Sequence, residues 1–326
     1  MNKASKIAIG VSAAALGTTA VLSFFLVEEV MYHKPLIFPK VSKIMTKKFV
    51  EDNGGEEEHK VQSKVEENRE WFRSVKPVEY DMINSEGLKL HGYLFPADEK
   101  SDVYVVCCHG YTSSGYGDYS LKAKFWHDCG YNVFLVDHRC HGKSEGKWIG
   151  FGYHERKDTL EWLEFLKKEF GDDVRFVLHG ISMGSATVMM MSGSNELPSN
   201  VKCTVADCGY TSCRDELKYG LNEVAHLPDF PFLYTGNIVN KLVNGYGFND
   251  PNPLESVKHA KVPILFIHGG NDLFVPTRMG KELYEACSSE KKDLLIIDGA
   301  GHTESHWVDP IKYEEKATTF VKEVIG

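Results

Sequence analysis

The sequence predicts an α/β fold: a mostly parallel, eight-stranded sheet with helices on both faces. Three observations carry that expectation. Eight short apolar runs punctuate the chain, and helix-like segments separate most of them. The 326 residues are 42% hydrophobic and 25% charged, enough to bury a sizeable core.

The elements follow in chain order. From Ile7 to Val27 the chain reads IAIGVSAAALGTTAVLSFFLV, uncharged and bounded by Lys6 and Glu28. About 20 such residues cross a bilayer as a helix, so residues 1–30 are expected to be a retained single-pass membrane anchor rather than a cleaved signal peptide. Lys3 and Lys6 favour a cytoplasmic tail, whereas Lys34, Lys40, Lys43, Lys47 and Lys48 beyond the span favour a cytoplasmic domain. The cysteine content leans the second way, and the sequence leaves the side open. Residues 31–75 read as a tether, broken at Asn53-Gly54-Gly55, followed by a helix, KVQSKVEENREWF, that packs Trp71 and Phe72 onto the domain.

A domain spanning residues 76–326 follows. VEYDMI and LKLHGYLF, joined through NSEG, predict an antiparallel hairpin. VYVVCCHG, YNVFLVDH, RFVLHGIS, VKCTVADC, PILFIHGG and DLLIIDGA suit strands buried on both faces. DTLEWLEFLKKEF places Leu160, Leu163 and Leu166 along one side of a helix. Residues 209–258 break the rhythm with an aromatic, Pro- and Gly-rich insertion, expected to form a helical cap over the sheet edge.

The net charge of −9 and the absence of a basic stripe argue against nucleic acid as a partner. The eight cysteines lack C-x-x-C spacing and read as buried reduced thiols, with nothing to support a Cys208–Cys213 disulfide.

Chemistry enters at HGISMGSA. Ser182 stands between Gly180 and Gly184 at a strand-to-helix junction. A serine on so tight a turn has its Oγ exposed and helix amides aimed at the same point, and side chains at the flanking positions would collide with the packed backbone. A serine hydroxyl needs a base. His302, in DGAGH after the last strand, is the expected proton acceptor, with His306 a turn further on as the alternative. Asp272, in HGGNDLFVP, is the expected acid partner, and Asp207 at the end of the preceding strand is the runner-up. His109-Gly110-Tyr111-Thr112 follows the third run, and the backbone N–H groups of Tyr111 and Met183 are the expected oxyanion donors. His109 itself reads as structural. His138, Cys140 and His141 are residue types that can bind a metal.

These motifs resemble the α/β-hydrolase superfamily, and within it the serine aminopeptidase-like and lysophospholipase-like group with an N-terminal membrane anchor. The resemblance runs from Val78 to the C-terminus and rests on His109-Gly110, Asp137 to Ser144, Gly180 to Gly184, Asp272 and His302. Cys140-His141 stands where relatives often carry small residues, and it is the resemblance that implies a turn rather than a metal site at His138, Cys140 and His141. The resemblance implies Ser182 as nucleophile, Asp272 as acid, His302 as base, and a reaction that needs neither metal nor organic cofactor. The expected activity is hydrolysis of a carboxylic ester through an acyl-enzyme, on an acyl or amphipathic small molecule. An aminopeptidase-like peptidase, for which Asp229 is a faint amine-binding candidate, and a thioesterase use the same constellation. A binding protein that has lost catalysis is the non-enzyme alternative.

Overall fold

The computed structural model describes Val27, Val30, Met31 and residues 58–326 apart from Ala225. The expected anchor therefore lies outside the described residues except for Val27 and Val30, and so does the tether up to residue 57 except for Met31. Among the described residues no helix is long and apolar enough to cross a membrane.

Among the described residues, eight strands form one sheet in the order β1-β2-β4-β3-β5-β6-β7-β8. They are β1 (Val78–Ile83), β2 (Lys89–Phe95), β3 (Val103–Cys108), β4 (Asn132–Asp137), β5 (Arg175–Ile181), β6 (Val201–Asp207), β7 (Ile264–Gly269) and β8 (Lys292–Ile297). β1 and β2 pair antiparallel, as do β2 and β4, and every later pair is parallel. The helices are α1 (Glu58–Ser74), α2 (Gly115–Tyr119), α3 (Ala123–Asp128), α4 (Glu155–Phe170), α5 (Met183–Ser192), α6 (Cys213–Tyr219), α7 (Phe232–Asn244), α8 (Pro253–Val257), α9 (Thr277–Ala286), α10 (Ser305–Val308) and α11 (Pro310–Ile325). A π-helical turn, Gly220–Val224, follows α6.

The strands divide the core by their period of two. On β3, Val103, Val105 and Cys107 face a cluster with Phe72, Trp126, Tyr313 and Phe320. Tyr104, Val106 and Cys108 face the other side, against Trp162, Leu163 and Met191. Every β3 residue is thus buried, which explains an unbroken apolar run where a half-exposed strand would alternate. Phe72 is buried and stacks on Phe95 at 5.1 Å, and Trp71 packs beside it, so α1 docks through the two aromatics at its end.

The strand order reverses at β3, which lies between β4 and β5. At such a switch point the loops leaving adjacent strands diverge and open a crevice at the carboxyl edge. The segments after β3 and β5, carrying Tyr111 and Ser182, flank that crevice. Between β6 and β7 the chain is helical, with α6, the π turn, α7 and α8. Val27, Val30 and Met31 lie in an apolar cluster with Leu233 and Phe248 of this insertion. Met31 O accepts from Ile149 N at 2.7 Å, and Val30 O accepts from Tyr111 Oη at 2.6 Å.

Candidate active site

Ser182 joins β5 to α5 with φ 55° and ψ −115°, a left-handed φ that non-glycine residues rarely adopt. Its N–H donates to Asp207 O at 2.9 Å and its C=O accepts from Ala186 N at 3.0 Å, so both sides of the strained residue are tied down. The flanking glycines are steric necessities. A Cβ on Gly180 would collide with Gly184 O, and one on Gly184 with Cys108 O.

Three sequence-distant side chains meet here. His302 Nε2 lies 2.9 Å from Ser182 Oγ, and His302 Nδ1 lies 2.8 Å from Asp272 Oδ2. With Nδ1–H donated to the carboxylate, Nε2 is the acceptor for the hydroxyl proton. The other oxygen of Asp272, Oδ1, accepts from the amides of Phe274 and Val275, both at 2.9 Å. The Phe274 ring packs over His302 with centroids 4.8 Å apart, limiting the imidazole's freedom to swing.

The electrostatics follow from this enclosure. Burial pushes the Asp272 carboxyl up, but His302 and His268 outweigh it and hold the group well below the usual carboxylate range. Burial opposes charge on His302, yet the Asp272 carboxylate prevails and holds its pKa well above the ordinary imidazole value. Burial pushes the Cys208 thiol up to about 11, so it stays protonated beside the ring.

His268 was invisible to motif reading. Its Nε2 lies 2.9 Å from Val275 O and 3.3 Å from Asp272 Oδ2, adding a second imidazole to the carboxylate. The signal available was its place four residues before Asp272 at the end of an apolar run.

The loop after β3 lies against Ser182: a Cβ on Gly110 would stand 3.3 Å from Ser182 Cβ. Tyr111 is the next residue. Met183 opens α5, where helix geometry leaves the first amides without intrahelical acceptors. His109 is fully buried, with Nδ1 2.7 Å from Gly110 O and Nε2 accepting from His138 N at 3.0 Å. His141 Nε2 accepts from Thr112 N at 3.1 Å, and its Nδ1 is 2.8 Å from Arg139 O. These rings brace the loop backbone. Asp137 ties the loop that follows it to the start of α2, accepting from Lys143 N and Gly115 N.

The alternatives are placed elsewhere. Asp207 accepts from Tyr313 Oη at 3.0 Å and does not bond His302. It ends a buried chain in which Trp126 Nε1 donates to His179 Nδ1 at 2.9 Å and His179 Nε2 lies 3.0 Å from Tyr313 Oη. His306 is paired with Glu314 at 2.9 Å. Asp229 forms an ion pair with Lys218 at 2.9 Å. All eight cysteines are free thiols, Cys208 and Cys213 included.

Comparison with known proteins agrees with this architecture. The family profile described as the alpha/beta hydrolase fold matches residues 103–247, and that described as serine aminopeptidase, S33, matches residues 232–305. The Bacillus subtilis protein YqkD is 27% identical over 253 residues, covering 77% of this chain and 81% of YqkD. The lysophosphatidylserine lipase ABHD12 of Danio rerio is 25% identical over 199 residues, 59% of this chain, and the match spans only 49% of the lipase. The solved Pyrococcus furiosus esterase Pf2001 superposes with a TM-score of 0.63 at 26% identity, covering 78% of this chain and 92% of the esterase. The eight-stranded sheet, the two profile matches and these relatives agree on the α/β-hydrolase fold.

Proposed function

We propose that the protein is a serine hydrolase that cleaves carboxylic esters through an acyl-enzyme. The observation that carries this is the hydrogen-bonded chain Ser182–His302–Asp272 at the sheet's carboxyl edge. Ser182 Oγ attacks the ester carbonyl carbon while His302 Nε2 takes its proton. The tetrahedral oxyanion lies between the N–H groups of Tyr111 and Met183. The C–O bond then breaks, the alcohol leaves with the proton from His302, and Ser182 is acylated. Water, deprotonated by the same nitrogen, releases the acid.

An acyl or amphipathic substrate is the class that best suits the surroundings. The β6–β7 insertion serves as a cap. Its helix α7 exposes Tyr234, Ile238 and Leu242 at successive i, i+4 positions, with Phe230 just before them. Residues 7–27 act as a membrane anchor in this reading. Its last residue touches the same helix, Val27 Cγ2 lying 3.6 Å from where a Cβ on Gly236 would stand. The names of the esterase and lipase relatives support an ester substrate.

The test uses the full chain in detergent. A fluorophosphonate probe is expected to label the wild type and not Ser182→Ala, and ester turnover in that variant is expected to drop ~10⁴–10⁶-fold. Wild-type chain that resists the probe, or a folded Ser182→Ala that keeps its turnover, overturns the proposal. The serine aminopeptidase match supports a second reading, peptide cleavage at a free amino terminus. A preference for aminoacyl anilides over nitrophenyl esters would install it instead.

A further inference from the structure

Glu216 lies on α6, in the insertion that overlies the site, and the mechanism above does not use it. Its Oε2 is enclosed and has no hydrogen-bond partner among the described residues. The helix is fixed above the Asp272 loop by Tyr219, whose Oη donates to Leu273 O at 2.9 Å. Glu216 precedes Tyr219 by three residues, so both project from one face of α6 toward that loop. The neighbouring position, Leu217, packs instead into the apolar cluster with Met183 and Tyr210. Of the charged groups acting on Glu216, the strongest are His302 and Asp272, followed by Arg278 and Asp215.

An enclosed carboxyl oxygen without a hydrogen-bond partner among the described residues costs desolvation and returns nothing to the fold. Its place on the helix face turned to the Asp272 loop, which holds His302, gives it a use. His302 hands its proton to the departing alcohol, so a group on that side meets the alcohol half of the ester rather than the acyl chain. We propose that Glu216 is a specificity residue whose carboxyl hydrogen-bonds a hydroxyl group on the alcohol portion of the substrate, as a glyceryl or other polyol ester would supply. This rests on the ester reading above.

The chemistry favours a hydroxyl over an ammonium. Burial raises the Glu216 carboxyl to about 8, so at neutral pH it is largely the neutral acid, able both to donate and to accept. An ammonium here would sit beside the imidazolium that forms on His302 during the reaction, with the Arg278 guanidinium also near.

The experiment compares the glyceryl and n-propyl esters of one medium-chain fatty acid, using the full chain in detergent with wild type, Glu216→Gln and Glu216→Leu. The readout is the ratio of kcat/KM for the two esters. Glu216→Leu is expected to lower the glyceryl-to-propyl ratio about tenfold, the scale of one lost hydrogen bond to a buried group. Glu216→Gln, which still donates and accepts, is expected to keep most of it. The Tm of Glu216→Leu is expected to hold or rise, because an unpartnered carboxyl is replaced by an apolar side chain. A ratio unchanged by Leu, or a Tm that collapses, overturns the assignment and makes Glu216 structural. A loss confined to amine-bearing substrates overturns it in favour of ammonium binding. Wild type that cleaves neither ester and resists the fluorophosphonate removes the ester reading itself. Wild type that reacts with the probe while Leu leaves the ratio intact removes only the role of Glu216.

Discussion

Replacing Asp272 by Asn tests the proposed mechanism at its least exposed point, because the structure dictates how the amide must sit. Oδ1 of Asp272 receives two backbone N–H groups, from Phe274 and Val275, each at 2.9 Å. Asparagine has a single side-chain oxygen, and those two donors claim it. The NH₂ group is then forced to the Oδ2 position, 2.8 Å from His302 Nδ1. A donor there makes Nδ1 an acceptor and moves the ring proton to Nε2, which faces Ser182 Oγ at 2.9 Å and can no longer take its proton. Locking the wrong tautomer lowers kcat by about 10⁴, which corresponds to roughly 5.5 kcal/mol of barrier. The fold pays less: His268 loses its second acceptor at 3.3 Å, costing about 1 kcal/mol. Steady-state hydrolysis of a nitrophenyl ester measures the first effect and thermal unfolding the second. Asp207→Asn is the matched control, since Asp207 bonds Tyr313 rather than His302. If Asp272→Asn stays within tenfold of wild type while Asp207→Asn abolishes turnover, the acid has been misassigned and the tautomer argument fails.

Further outcomes follow from the same geometry. Because Asp272 holds the His302 pKa above its ordinary value, imidazolium persists to higher pH. With a non-ionising ester, kcat/KM is expected to fall as pH drops through a midpoint above about 6.5, and a midpoint near 5 would contradict the pairing. Gly184→Ala drives a methyl group into Cys108 O, a backbone atom that cannot rotate away. The expected cost is about 3 kcal/mol, or roughly 6–12 °C in Tm by calorimetry, and an unshifted Tm would refute the steric account. Arg139 clamps the buried Asp158 carboxylate through Nε at 2.6 Å and Nη2 at 2.7 Å. Arg139→Ala strands that charge and is expected to destabilise the fold by about 3–5 kcal/mol in urea titration, where a loss below 1 kcal/mol would show that the pair is dispensable.

Much of the architecture is legible in the amino-acid order because it is written in local periodicity. Short unbroken apolar runs such as VYVVCC, rich in β-branched residues, suit strands covered on both faces, and the long helix from Glu155 to Phe170 declares itself by its leucine spacing. The glycines around Ser182 are equally readable, since the turn excludes any side chain at those two positions. Choices among chemically equivalent residues are not local. Asp207 ends one parallel strand and Asp272 follows the next, and His302 and His306 are four residues apart. Which carboxylate faces which imidazole depends on side-chain direction at the sheet edge, across chain separations of 30 and 120 residues. His268 and Glu216 carry no motif at all: one is recognised by a 3.3 Å approach to Asp272, the other by an enclosed oxygen with nothing to bond. Sequence alone determined the layers, the strained serine and the order of the reactive groups, because backbone sterics and burial act over a few residues. Tertiary structure decided the partners, because hydrogen bonds and desolvation depend on distances that only the folded chain sets.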